Sequence, residues 1–96
     1  MKTNATYVIA DDNPLLRDGL ISLMDLHTEH RCVGQAADGK AAVRLVSDEQ
    51  PDFVLMDLSM PEIDGYEAIS QIKDLYPDIK ILVLSVHDSD EAVLKA

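Results

Sequence analysis

The sequence predicts an α/β fold, a doubly wound parallel sheet with helices on both faces. Three observations carry that expectation. Short, continuously apolar runs alternate with longer segments of helical periodicity, giving β-α-β-α-β-α-β-α. Continuous apolarity marks parallel strands covered on both faces. Three of the four runs end in carboxylate or hydroxyl groups, Asp11-Asp12, Asp57 and Ser85. Short, right-handed crossovers would bring all of these to one edge of the sheet.

The first strand is Tyr7-Val8-Ile9-Ala10, ending at Asp11-Asp12. Asn13-Pro14 opens a helix, because Asn accepts free amides and Pro suits the first helical position. Leu16, Leu20, Leu23 and His27 fall on one stripe, widened by Leu15, Met24 and Leu26, and the helix ends near His27-Thr28. Arg31 to Ala37 reads as a less apolar second strand, hence an edge. Asp38-Gly39 caps a second helix, Lys40 to Asp48, which presents Ala41, Ala42, Leu45 and Val46 on one face. Asp52 to Met56 is the most apolar strand so far and is expected at the centre. Tyr66 to Tyr76 is a third helix with Ile69, Ile72 and Tyr76 inward, broken by Pro77-Asp78. Ile79 to Leu84 is the fourth strand. A loop, Ser85 to Asp88, leads to a last helix capped by Asp88 or Ser89 and carrying Val93 and Leu94.

Ninety-six residues make one domain, and 47% apolar content supplies a core. A net charge of −10 argues against direct contact with nucleic acid or an anionic membrane. No apolar stretch is long enough for a membrane span, and Met1 to Ala5 lack a signal peptide's apolar segment. Cys32 is the single cysteine, so an internal disulfide is excluded and a reducing, cytoplasmic setting fits.

The chemistry is expected at the acids. A carboxylate at the carboxyl end of a buried strand is badly placed for stability and well placed for a ligand. Clustered carboxylates raise one another's pKa unless a cation shares them. Mg2+ suits a site of carboxylates, a backbone carbonyl and a phosphate. A carboxylate also attacks phosphorus to give an acyl phosphate. Each residue alone has a plainer reading, as a turn or a cap. Their shared position after apolar strands sets that reading aside. His27, Glu29, His30 and Cys32 lie close together but lack ligand spacing and read as a connecting loop.

With Ile9-Ala10-Asp11-Asp12-Asn13, Leu55-Met56-Asp57, Met60-Pro61 with Asp64-Gly65, and Leu84-Ser85, the chain resembles the receiver domain of bacterial two-component response regulators. Its detail is similar to receivers that precede a helix-turn-helix DNA-binding domain. The resemblance implies a flavodoxin-like sheet of order 2-1-3-4. It makes Asp57 the phosphoacceptor, with phosphoryl groups coming from a sensor histidine kinase. It makes Asp12 a direct Mg2+ ligand and Asp11 a looser one. Ser59 would give its backbone carbonyl to the metal, and Ser85 would be the switch hydroxyl. DNA would be reached only through an output domain outside this chain.

The family pattern adds a fifth strand with a phosphate-contacting lysine and a fifth helix. The 96 residues are read as stopping before both, with Lys80 and Lys95 poor substitutes. The fourth strand is then an exposed edge. Homo-oligomerisation through that edge or the last helix is the expected consequence. Two other functions compete. An aspartyl-nucleophile phosphohydrolase needs a second carboxylate two residues after Asp57, where Ser59 stands. A phosphorylation-independent interaction module is the alternative for a receiver without its lysine.

Overall fold

The structure, a computed structural model, describes residues 4–57, 64–86 and 92–95. Its elements are β1 (Thr6–Ala10), α1 (Pro14–His27), β2 (Arg31–Ala36), α2 (Gly39–Glu49), β3 (Phe53–Asp57), α3 (Asp64–Leu75), β4 (Lys80–Val86) and β5 (Ala92–Lys95). The sheet order is β2-β1-β3-β4-β5. The first four strands are parallel in the order 2-1-3-4, with β2 at an edge and β3 central, as the apolar patterns imply. Helix limits differ from the sequence reading by one or two residues, within the usual fraying of ends.

Strand side chains alternate between two cores. Tyr7, Ile9, Phe53 and Leu55 face α1, where Leu20, Ile21 and Met24 pack over them. Ala10, Val54, Met56 and Ile81 face the other way, against Ala42 and Val46 of α2 and Ala68 and Ile72 of α3. Tyr7 stacks on Phe53 at 5.3 Å between ring centroids. Its hydroxyl is buried without a hydrogen-bond partner.

Local sequence sets the helix ends. Asn13 Oδ1 accepts from the Leu15 and Leu16 amides at 3.0 and 3.2 Å, with Pro14 in the first turn. Asp38 Oδ1 accepts from the Ala41 amide at 2.8 Å. Asp52 joins the foot of the sheet, its Oδ2 accepting from the Thr6 amide at 2.8 Å. Gly34 lies where α2 comes closest: a Cβ there would stand 2.8 Å from Leu45 Cδ2. The β1–β2 register shifts at the same place, between Tyr7 and Val8.

The C-terminal segment corrects the sequence reading. Ala92–Lys95 is not a helix but a strand antiparallel to β4, pairing Val83 with Lys95, Leu84 with Leu94, Ser85 with Val93 and Val86 with Ala92. A helix this short is unstable without packing. The open edge of β4, by contrast, offers a row of unpaired N–H and C=O groups. The edge expected to drive association is therefore paired within the chain. Ser85, expected in a loop, lies inside β4.

Helix α1 has its sheet face to itself among the described elements. It contains no buried residue. Beside it runs an apolar groove of about 680 Å³, floored by Phe53, Leu55 and Leu82 and walled by Leu20, Leu23 and Met24 of α1. No helix among the described residues is long and apolar enough to cross a membrane.

Candidate phosphoacceptor and metal site

Parallel β1 and β3 pair in register from Tyr7–Phe53 to Ala10–Met56, so their carboxyl ends lie side by side. Asp57 closes β3, and Asp11 and Asp12 follow β1. One carboxylate oxygen from each of Asp11, Asp12 and Asp57 lies within 4.8 Å of the others. Burial ranks them. Asp11 is 1% exposed and Asp57 3%, whereas Asp12 opens to solvent.

Asp11 is held by its backbone. Its N–H donates to the Ala36 carbonyl at 2.9 Å, and its own carbonyl accepts from Arg17 Nη1 at 2.6 Å. The Arg17 Nε donates to Gln35 Oε1 at 3.0 Å, which fixes the guanidinium. Asp11 Oδ1 accepts from the Asn13 amide at 2.8 Å. Its Oδ2 is buried with no hydrogen-bond partner. Burial pushes the Asp11 carboxyl up from 3.8 to about 6; the Asn13 amide opposes this, while the neighbouring Asp57 and Asp12 carboxylates add to it.

This donor set fits a hard divalent cation. Three convergent carboxylates, two of them buried, repel one another when ionised, and an orphaned carboxylate oxygen inside the protein is costly. A cation with oxygen ligands answers both. Among the described residues, these three aspartates form the one group of metal-ligating side chains. His30 is engaged elsewhere: its Nδ1 accepts from the Ala5 amide at 2.9 Å, and its ring meets Phe53 edge-on.

The structure thus brings Asp11, Asp12 and Asp57 together. Ser85 stands next along β4 after Leu84, the register partner of Asp57, and pairs with Val93. Ser59, with the Met60-Pro61 loop, lies outside the described residues. Sequence reasoning missed Arg17 as the clamp on the Asp11 carbonyl, since nothing in its spacing marks that contact. It read Asn13 only as a helix cap. The Asp-x-Asn spacing was the available signal that the Asn13 amide also holds the Asp11 side chain.

A family model for the response regulator receiver domain matches residues 7–96. The chain is 42% identical over 86 residues to the transcriptional regulatory protein DegU of Brevibacillus brevis, covering 90% of this chain and 36% of that protein. Among solved structures it is similar to a two-component response regulator of the LuxR family from Aurantimonas, with a TM-score of 0.82 and 33% identity over 88% of this chain and 61% of that one. It is also similar to the receiver domain of a response regulator, NarL, from Mycobacterium tuberculosis, with a TM-score of 0.80 and 32% identity over 91% of this chain and 70% of that one. The chain spans less than half the length of the curated relatives it matches, 43% for VraR of Staphylococcus aureus.

Proposed function

The chain belongs to the response regulator receiver family, and on that premise we propose that it is a phosphorylation-controlled switch whose acceptor is Asp57. The observation that carries this reading is the buried pair Asp11 and Asp57, with an Asp11 oxygen left unpartnered inside the protein. Selection for stability alone would remove such a pair. Phosphoryl chemistry has a use for it.

Asp57 Oδ attacks the phosphorus of a donor phosphohistidine on a sensor kinase. A P–O bond forms as the P–N bond breaks, and the leaving imidazole nitrogen keeps the electron pair and takes a proton from water. The product is an acyl phosphate on Asp57. When bound, Mg2+ would supply charge neutralisation for the phosphoryl oxygens. Asp11 and Asp12 would hold it, with Asp57 and the backbone carbonyl of Ser59 completing the protein ligands. Asn13 and Arg17 keep Asp11 in place. The Ser85 hydroxyl is the proposed donor to the new phosphoryl group, and its strand neighbours in β4 and β5 would pass on the change.

The added charge of about −1.5 to −2 beside Asp11 and Asp12 is the physical input of the switch. The chain's role is then that of a cytoplasmic phosphoacceptor and regulator, without turnover of an external substrate. Control of transcription would be exerted through a DNA-binding output domain joined to the receiver; among its relatives one is named a transcriptional regulatory protein and another a DNA-binding response regulator.

The test is intact mass after incubation with acetyl phosphate and Mg2+. Gain of one phosphoryl group, lost in Asp57→Asn and lost in chelator, is expected. A folded chain that gains no phosphoryl group would overturn the reading in favour of a phosphorylation-independent interaction module.

A further inference from the structure

Cys32 and Gln35 stand three residues apart in β2, so in a regular strand they would face opposite sides of the sheet. Here they share a side. Cys32 packs with Tyr7 in the core under α1. Gln35 Oε1 accepts from Nε of Arg17, which belongs to α1. Gly34 and Ala36 turn the other way: a Cβ on Gly34 would meet Leu45 of α2, and Ala36 is in the core with Ala42 and Val46 of α2. The cause is one extra residue. Tyr7 pairs with Cys32 but Val8 pairs with Gly34, so Val33 has no register partner on β1. Such a shift of one residue turns every later side chain to the opposite face. Cys32 Sγ donates to the Gly34 carbonyl at 3.3 Å across this bulge.

The bulge has a consequence at the acid cluster. Beyond it, β2 grips the Asp11 residue at both ends of its backbone. The Ala36 carbonyl accepts the Asp11 N–H at 2.9 Å. Gln35 acts on the Asp11 carbonyl indirectly, by holding the guanidinium whose Nη1 donates to it at 2.6 Å. With Oδ1 taken by the Asn13 amide, Oδ2 is the polar atom of Asp11 left without a partner, and it is buried. An arginine side chain has many rotamers, and one bond to a carbonyl leaves it free to exchange them; a second bond at Nε fixes the plane of the fork. Bulges recur at sheet edges and beside functional sites, where they re-aim a side chain. A regular β2 would turn Gln35 toward α2, away from Arg17.

We infer that Gln35 is a positioning residue for cation binding at Asp11, Asp12 and Asp57, turned to that task by the bulge at Val33 and acting through Arg17. The inference rests on the reading of these three aspartates as a cation site. Gln35 itself touches neither the acids nor a ligand. Its contribution is to keep the Asp11 carboxylate aimed, in the way that outer partners of metal ligands do.

The experiment is calorimetric titration of the 96-residue chain with Mg2+, comparing wild type with Gln35→Met, Gln35→Glu, Arg17→Met and the double variant Arg17→Met with Gln35→Met. Gln35 is exposed, so its replacement leaves the core intact. Gln35→Met changes no charge, so a lost affinity cannot come from the general field. It is expected to weaken Mg2+ binding roughly three- to fivefold, less than the tenfold or more typical of a direct outer partner, with little change in melting temperature. Gln35→Glu keeps the acceptor and should bind at least as tightly as wild type. The double variant should match Arg17→Met alone, because Gln35 has nothing to act through once the guanidinium is gone. The Arg17 Nε–H resonance, followed by NMR without metal, should be protected from exchange in wild type and lose that protection in Gln35→Met. If Gln35→Met does not melt cooperatively, Gln35→Ala replaces it with the same expected loss. Unchanged affinity in Gln35→Met, or losses that simply add in the double variant, overturn the inference and leave the cation site standing. A folded wild type that binds no Mg2+ overturns the cation site and the inference together.

Discussion

Removing the acceptor charge is expected to stabilise the metal-free protein. Asp11 is 1% exposed and its carboxyl is pushed from 3.8 to about 6, first by burial and then, among the causes that raise it, by Asp57. Two pH units correspond to about 3 kcal/mol at neutral pH. Burial persists in Asp57→Asn, so only the repulsion of one neighbouring charge is recovered, on the order of 1 kcal/mol. A gain of about 1 kcal/mol raises the melting temperature of a domain this size by roughly 4–8 °C. The sign in pH follows from the raised value. Folded Asp11 holds its proton longer than unfolded Asp11, so wild type is favoured at low pH and loses stability as pH rises from about 4 to about 6. The gap between variant and wild type should be full above pH 6 and small near pH 4. Circular-dichroism melts in chelator at pH 4.5 and pH 8 read this directly. Adding Mg2+ at pH 8 should raise wild type and narrow the gap, since only the intact acid set gains by binding. A variant no more stable than wild type at pH 8, or a gap that widens toward pH 4.5, would refute the charge-cluster reasoning.

Tyr7→Phe should be neutral or stabilising by up to about 1 kcal/mol in denaturant titration, because it deletes a buried hydroxyl without a partner while keeping the ring stacked on Phe53. A loss above about 1 kcal/mol would mean that the hydroxyl is satisfied in solution. Arg17→Met keeps the aliphatic stem but removes the 2.6 Å donor to the Asp11 carbonyl. It should cost about 1 kcal/mol and weaken Mg2+ binding, measured calorimetrically, by several-fold; unchanged affinity would show that the clamp does not position Asp11.

The four parallel strands and the edge place of β2 were legible because each strand's apolar run is local and ends sharply, whereas their order came from the family resemblance. Asp11, Asp12 and Asp57 were legible for the same reason: strand ends in a parallel sheet converge whatever the loops do. The contacts of Arg17 were not, since a guanidinium reaching back to a carbonyl leaves no periodicity. Gly34 was equally silent, because its reason is Leu45 from the neighbouring helix.

The sharpest divide falls at Ala92–Lys95. By itself the sequence determined that Val93 and Leu94 need cover, but an apolar pair fits helix and strand alike. Only the tertiary structure decided between them. The edge of β4 presents backbone donors and acceptors in fixed register, and a strand satisfies them where a lone helical turn does not. The acid cluster needed no such arbitration. Its position follows from strand direction, which the sequence encodes, and its strain follows from burial, which only the packed fold imposes.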